Sequence, residues 1–372
     1  MKVIIAAAGT GGHINPGIAI ANKIKVKQPD SEIVFIGTNR GLENDLVPRA
    51  GYELKTIDAY GFDRHISFDN VKRTIKTLRS IKSVKKIIDE MKPDIVIGTG
   101  GYICVPVALA AKKKNVPVVL HESNAFPGIA IKLLSKKADK ILLGFKDAEK
   151  RIPKAKKIVV TGTPTKLSKK DLTADERNEI EKSLGFTDKK PLVLIFGGSQ
   201  GAQSINDSLI NMIKNNLIND YHIMWAAGPS QYDVIKEKLN DISINIDNIP
   251  NVKIVPYIYN MQEIMNYADV VISRSGAMTI TEVSLLNKPA IFIPFPFATE
   301  NHQEYNAKVL ENVGAARIIL DKDLNSDVLS KNLNEILSNK DLLEQMGRNC
   351  KKVAIDNVEE RIYSEIVEVL KK

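Results

Sequence analysis

An α/β protein built on two doubly wound parallel sheets is the fold class this sequence predicts, and three observations predict it. At 372 residues the chain exceeds one ordinary hydrophobic core and suffices for two. Short β-branched and aliphatic runs alternate with helical stretches throughout, the rhythm of βαβ units. A strand, glycine loop and helix open the chain (IIAAAGTGGH), and the same device returns near residue 192 (LIFGGSQGA).

The first sheet is expected to comprise Val3 to Ala7, Ile33 to Ile36, Asp94 to Ile97, Val116 to Leu120 and Ile158 to Thr161. The start of the chain reads as a strand rather than a signal peptide, because glycines follow where a longer apolar stretch and a cleavage site would be needed. The second sheet is expected from Leu192 to Phe196, Tyr221 to Ala226, Val252 to Val255, Asp269 to Ser273 and Ala290 to Ile293. The halves echo one another: DIVIGTGG from Asp94 answers DVVISRSG from Asp269, and VPVVLHE from Val116 answers KPAIFIP from Lys288. Residues 1–163 and 164–345 are therefore read as two domains. The helical tail 346–372, with Val353, Ile362, Ile366 and Val369 at helical spacing, is expected to pack back on the first.

Composition narrows the partners. Two cysteines, Cys104 and Cys350, lack metal-ligand spacing and read as core residues, so no metal is expected. No apolar run reaches the length of a bilayer span. The net charge of +9 is unevenly placed: residues 1–163 carry 29 Lys+Arg against 15 Asp+Glu, and the remainder 24 against 29. Such a basic half points to an anionic surface, either phospholipid or nucleic acid, with a merely soluble basic face as the plain alternative.

The chemistry is expected at the loops that follow the strands, where open α/β sheets bind ligands. A glycine turn there lets backbone N–H groups and the next helix approach a phosphate. A dinucleotide fingerprint would place glycine at Ile14 and an acidic residue after the second strand, where Gly37-Thr-Asn39 stands. A P-loop would need Gly-Lys-Ser/Thr, which neither glycine loop has. Nicotinamide and triphosphate-hydrolysis chemistry are thus disfavoured.

In the first half, Gly9-Thr-Gly-Gly-His13 presents His13 at this edge as a ligand or catalytic group, with Gly100-Gly-Tyr102 and His121-Glu-Ser-Asn124 beside it. His121 and Glu122 read equally as a pair holding their own loop. In the second half, Ser199 and Gln200 among Gly197, Gly198 and Gly201 suit a diphosphate. Ser273-Arg-Ser-Gly276 adds a cation, and Glu282 on the following helix is placed to accept both hydroxyls of a ribose. Asn301, His302, Gln303 and Asn306 offer the neutral amides that sugar hydroxyls need. Finally, Phe68 to Lys86 sets Phe68, Val71, Ile75, Leu78 and Ile81 against Lys72, Arg73, Lys76, Arg79, Lys82, Lys85 and Lys86, a basic amphipathic pattern suited to an anionic membrane surface. The alternative is an ordinary helix burying its apolar stripe.

With Gly9-Thr-Gly-Gly-His13, Gly197-Gly-Ser-Gln-Gly-Ala202, Ser273-Arg-Ser-Gly-Ala277 and Asn301-His-Gln303 in this order, the chain resembles the MurG family over essentially its whole length. These are the N-acetylglucosaminyltransferases of bacterial peptidoglycan synthesis. The resemblance implies a GT-B fold, with UDP-N-acetylglucosamine on the C-terminal domain and lipid I on the N-terminal one. It implies inverting transfer to give lipid II without a cofactor or metal, at the cytoplasmic face of the bacterial cell membrane, and leaves no role for nucleic acid. Residue by residue, it makes Thr10, Gly11, Gly12 and Asn124 N-terminal-domain residues lining the donor cleft, Ser199 a diphosphate contact, and Ile258 the uracil-binding backbone position. Ala277, Met278, Thr279, Ile280, Thr281 and Glu282 become the stretch holding sugar and ribose, and Gln303 a contact to the N-acetylglucosamine. Lys166 stands where the family usually has arginine, keeping the charge without the planar fork. Rival readings are a UDP-N-acetylglucosamine 2-epimerase, a diacylglycerol glycosyltransferase and a noncatalytic nucleotide-sugar binder.

Overall fold

The computed structural model describes residues 1–60, 68–186, 188–198, 200–218, 220–249 and 251–371, with backbone alone for 68–72, 74, 78 and 246. The chain divides into two compact units, Met1–Lys166 with Ile355–Lys372, and Leu167–Ala354. The division therefore lies at Lys166/Leu167 and Ala354/Ile355 rather than at 163 and 345. A boundary at 345 would cut the helix Lys340–Cys350, whose Met346 and Cys350 are buried in the second unit.

The first unit holds seven parallel strands: β1 (Lys2–Ala6), β2 (Glu32–Gly37), β3 (Glu53–Thr56), β4 (Ile95–Gly98), β5 (Val118–Glu122), β6 (Lys140–Leu143) and β7 (Ile158–Val160). Their order is β3-β2-β1-β4-β5-β6-β7, so the chain reverses its direction of growth between β1 and β4. Side-chain alternation builds the layers. Ile4, Ala6, Val34 and Ile36 enter one core, whereas Val3, Ile5, Ile33 and Phe35 enter the other. Both faces are apolar because helices cover both, the condition of a parallel sheet.

The second unit holds β8 (Leu192–Phe196), β9 (His222–Ala226), β10 (Val252–Val255), β11 (Val270–Ser273), β12 (Ala290–Phe292) and β13 (Ala316–Ile318), ordered β10-β9-β8-β11-β12-β13. The reversal here falls between β8 and β11. The unit is entered through the helix Ala174–Leu184. Thr173 and Glu176 cap it reciprocally, and Gly185 ends it at a φ of 82°.

Three strands, β3, β6 and β13, were not expected from the sequence. Glu53-Leu-Lys-Thr56 and Ala316-Arg-Ile318 are edge strands of four and three residues, too short for a period to stand out. In Lys140-Ile-Leu-Leu143 the lysine hides a central strand.

The helix Val358–Leu370 returns to the first unit, and Ile362 and Ile366 join the layer of Val3 and Ile5. Its acidic face is clamped. Glu360 pairs with Lys23 and Lys27 at 2.8 and 2.9 Å, and Lys140, only 1% exposed, donates to Glu365 and Glu368.

The helix Phe68–Met91 buries Thr77, Ser80, Val84, Ile88 and Met91. Ile75 of the expected apolar stripe is instead 43% exposed, and Ile81 is partly buried against the core. The side chains of Phe68, Val71, Lys72 and Leu78 lie outside the described residues. Cys104 and Cys350 are both buried thiols whose pKa burial pushes up to about 12, which makes them inert core residues. Among the described residues no helix is long and apolar enough to cross a membrane.

Candidate functional site

In the first unit, the loops after β1, β4 and β5 lie side by side at the carboxyl edge of the sheet, at its reversal point. Gly9 turns the chain out of β1 at a φ of 95°, and Thr10 begins the helix Gly11–Lys27 without a side-chain cap of its own. One turn in, the His13 ring leans back over the strand end, and its Nδ1 lies 3.2 Å from the Ala8 carbonyl oxygen. A carbonyl can only accept, so Nδ1 carries the proton and Nε2 carries the lone pair. The imidazole is thereby held in the tautomer that can take a proton.

The loop after β4 wraps this ring. Thr99 Oγ1 donates to the His13 carbonyl at 2.7 Å, and a Cβ on Gly100 would lie 2.3 Å from His13 Cδ2. Gly101, at a φ of 80°, would put a Cβ 2.8 Å from the Ala8 oxygen. Gly100 and Gly101 are thus glycines because the His13 ring and the Ala8 carbonyl occupy their side-chain space.

After β5, Glu122 organises the loop rather than facing a ligand. Its Oε1 accepts from the backbone and side chain of Asn124 at 2.9 and 3.0 Å, and its Oε2 accepts from Gly128 N at 2.8 Å. Burial pushes its pKa up, against the pull of these donors. His121 turns away: its Nε2 donates to the Gly162 carbonyl at 3.0 Å, and burial presses its pKa down to about 4. His121 is therefore a neutral structural group, and of this segment Asn124 is what the loop offers. Tyr102 packs partly against the core.

Sequence reading missed Glu43. Fully buried at the start of the helix Glu43–Arg49, it accepts from Gly9 N at 3.0 Å, Thr38 N at 2.9 Å and Thr38 Oγ1 at 2.7 Å. Burial raises its pKa, but the Gly9 and Thr38 donors outweigh that and hold it below the usual carboxylate value. A carboxylate thus already occupies the Gly9 amide that a phosphate would use. At Gly9 the first glycine loop is bound by a carboxylate of its own unit.

In the second unit, the loops after β8 and β11 flank the sheet's reversal point. Gly198 and Gly201 have φ of 89° and 77°, and Gly201 N closes the turn on Gly198 O at 3.0 Å. A Cβ at Gly201 would lie 2.4 Å from the Ala227 oxygen, so only glycine allows this close approach. The helix Gln203–Lys214 follows with no side-chain cap recorded at Ala202. A turn of backbone amides ahead of a helix N-terminus has a form suited to a diphosphate. Ser199 lies outside the described residues.

Gln303 is fixed from behind. Its Oε1 accepts from Ser275 N at 3.2 Å and Phe295 N at 3.0 Å, so the amide NH2 is the group it can offer as a donor. Ser275 Oγ in turn donates to the Gln303 carbonyl at 2.8 Å. Glu282, Met278, Thr279 and Thr281 are half-buried on the helix Ala277–Leu285. Ala277 is buried at its start, where a backbone N–H is what it can offer. Ile280 offers a ligand neither its side chain, which is fully buried, nor its N–H, which bonds to Gly276 O. Ile258 is 4% exposed and so can offer only backbone, between the exposed rings of Tyr257 and Tyr259. Lys166 is exposed at the last residue of the first unit.

Arg274, expected beside the diphosphate, faces inward. Its guanidinium donates to the Ile293 and Pro294 carbonyls, Asp321 Oδ1 and Ser204 Oγ at 2.5 to 3.2 Å. It is a bracket holding the loops after β11 and β12. Asp321, its counter-ion, is 47 residues away in sequence and carries no local signal. Among the described residues, no group of three or more His, Cys, Asp or Glu is arranged to hold a metal ion.

Comparisons with known proteins bear on both units. Residues 3–143 match the glycosyltransferase family 28 N-terminal domain, and residues 192–362 match the family's C-terminal domain. The chain is 43% identical over 372 residues to the UDP-N-acetylglucosamine--N-acetylmuramyl-(pentapeptide) pyrophosphoryl-undecaprenol N-acetylglucosamine transferase of Acetivibrio thermocellus, covering 100% of this chain and 99% of that one. A protein of the same name from Bacillus cytotoxicus is 38% identical, with 100% of each covered. Among solved structures, Acinetobacter baumannii MurG aligns with a TM-score of 0.79 at 30% identity over 99% of both chains. A UDP-GlcNAc 2-epimerase from Neisseria meningitidis, at 14% identity and a TM-score of 0.65, shares the fold alone. With both family 28 domains present, and full-length identity to transferases of one name, the chain belongs to the MurG family of glycosyltransferases.

Proposed function

We propose that this protein transfers N-acetylglucosamine from UDP-N-acetylglucosamine to the 4-hydroxyl of the N-acetylmuramic acid in lipid I, giving lipid II with inversion. The observation that carries the mechanism is the chemical inequality of the two glycine loops. One holds an imidazole with its lone pair on Nε2, and the other is a turn of amides ahead of a helix N-terminus.

Inverting transfer needs both devices. The acceptor hydroxyl gives its proton to His13 Nε2 as its oxygen attacks the anomeric carbon. The bond from that carbon to the diphosphate oxygen breaks, and the electron pair leaves on UDP. Amides of the 197–201 turn, with Ser199, meet the growing negative charge. Gln303 donates to the sugar, Glu282 accepts from the ribose hydroxyls, and the Ile258 backbone reads the uracil. Thr10, Gly11, Gly12 and Asn124 are the first unit's residues for the donor cleft, with Lys166 as a basic contact to the donor.

The test is transfer from UDP-N-acetylglucosamine to a lipid I analogue, with UDP release measured with and without acceptor. Acceptor-dependent UDP release and a disaccharide product are expected. Release or epimerisation without acceptor sinks this reading in favour of a 2-epimerase. Transfer only to diacylglycerol would reassign the acceptor.

A polyprenyl acceptor requires contact with a bilayer, and we place that contact at the cytoplasmic face of the cell membrane through the helix Phe68–Met91. The supporting observation is that its core-facing residues do not include Ile75, which stands exposed with Arg73, Lys76 and Arg79 around it. Reversing Arg73, Lys76 and Arg79 to glutamate is expected to weaken binding to phosphatidylglycerol vesicles by about 100-fold or more, at about 1 kcal/mol per basic residue. Unchanged vesicle binding would remove this helix from the account.

A further inference from the structure

We propose that Glu43 is a positioning residue that acts on His13 through the single peptide group joining Ala8 to Gly9. The proposal rests on the reading of His13 as the proton acceptor and goes beyond it by naming what orients and polarises that group.

The geometry is a relay with a peptide in the middle. Glu43 Oε2 accepts from Gly9 N at 3.0 Å, and His13 Nδ1 donates to Ala8 O at 3.2 Å. Gly9 N–H and Ala8 C=O are the two ends of one amide, so carboxylate, amide and imidazole stand in series. An anion on the N–H draws amide electron density toward the carbonyl oxygen and makes it a stronger acceptor, the cooperative effect seen in chains of hydrogen bonds. A stronger acceptor at Ala8 O holds the proton on Nδ1 and stabilises the imidazolium that forms when Nε2 takes a proton. Carboxylates that contact the imidazole directly do the same in hydrolytic triads. Glu43 stays ionised throughout, and no proton moves to it.

Three features show a site built around this carboxylate. Glu43 is 0% exposed, and its second oxygen is fully engaged by Thr38 N and Oγ1, so it cannot swing away from Gly9. Cβ atoms at Gly37 and Gly41 would lie 2.7 and 2.0 Å from its side chain, so glycines clear its space. On the other side of the amide, Gly101 clears space for the Ala8 oxygen. The carboxylate thus sits against the turn after β1 and the end of β2, where a bound cofactor would otherwise put its own oxygens.

The experiment compares Glu43→Gln with Thr38→Val in the full-length protein labelled with 15N-histidine; the chain has five histidines. Glutamine at 43 keeps the shape but loses the charge, and its NH2 must face an N–H or O–H donor. Thr38→Val removes a donor to the same carboxylate and leaves the Gly9 contact intact. For wild type and Thr38→Val, the His13 signals are expected to report Nδ1–H. For Glu43→Gln they should move toward a mixture of tautomers. Its kcat should fall at least about 10-fold, toward the roughly 10⁴-fold loss of a triad imidazole in the wrong tautomer. KM for UDP-N-acetylglucosamine should be unchanged. An unaltered His13 tautomer in Glu43→Gln overturns the relay, as does a Thr38→Val protein that reproduces both the tautomer change and the kcat loss. Absence of transfer by the wild type would instead overturn the functional reading, and the spectra would still decide the relay.

Discussion

Replacing His13 by glutamine lowers kcat by about 10²- to 10⁴-fold at saturating substrates, the range a lost general base removes. Glutamine is the informative substitution because its amide NH2 can still donate to the Ala8 carbonyl while its carbonyl oxygen is too weak a base to accept a proton. The loop around Gly100 and Gly101 then keeps a filler of similar length. Affinity for UDP, read by calorimetry, is expected to stay within about twofold, because the proposed diphosphate turn, ribose carboxylate and uracil position all lie in residues 167–354, outside the unit that carries His13. Steady-state kinetics with a lipid I analogue provide the check. A His13→Gln enzyme retaining more than about a tenth of kcat would remove the imidazole from the proton transfer.

The second large effect falls on stability. Removing both Glu365 and Glu368 as alanines leaves the Lys140 ammonium buried without a counter-ion, and breaking a buried pair in this way costs about 3–5 kcal/mol. Lys140 directs its donors at the Glu365 carbonyl, Glu365 Oε2 and Glu368 Oε2, at 2.5 to 3.0 Å, so all three N–H groups depend on the helix Val358–Leu370. Denaturant melting of the first unit should show the loss. Adding Lys140→Met to the double variant should recover most of it, since an apolar side chain no longer needs the carboxylates. Failure of that rescue would mean that the loss does not come from the unpaired Lys140 ammonium.

The same cluster sets an acid limit. Lys140 first, then Lys157, hold the Glu368 carboxyl down to about 2. A carboxylate with a depressed native pKa contributes stability that is complete above its unfolded value and is lost as pH falls from there toward 2. Melting midpoints of the wild type should therefore decline through that window more steeply than those of Glu368→Gln.

Much of this protein could be read from local pattern. The β-branched runs at Val3, Ile33, Ile95, Leu192 and Val270 are buried on both faces, so continuous hydrophobicity marked them as strands of parallel sheets. The glycine turns at Gly9 and Gly198 announced themselves because positive φ demands glycine. What stayed hidden depends on partners distant in sequence. Glu43 looks like an ordinary acidic residue opening a helix, and only the fold brings Gly9 and Thr38 onto it; the nearby glycines at 37 and 41 were the available sign. Arg274 has the right loop and charge for a diphosphate, but Asp321 and Ser204 claim its guanidinium from behind. Ile280 sits in a stretch the family uses for binding, yet helical periodicity turns it to the core. In the basic helix, five apolar positions at helical spacing suggested one stripe. Of the two whose side chains are described, Ile75 is exposed and Ile81 packs partly against the core, while Thr77, Ser80 and Val84 are buried.

The chain leaves the first unit at Lys166 and re-enters it at Ile355, so the second unit is an insertion within the first. During synthesis the order of completion is then inverted. Residues 167–354 form a contiguous body that can close once Ala354 has cleared the ribosome. The sheet begun by Lys2 receives the last part of its cover, Ile362 and Ile366 beside the Ile14, Ile18 and Ile24 already laid on Val3, Ile5 and Phe35, only when the C-terminal helix follows.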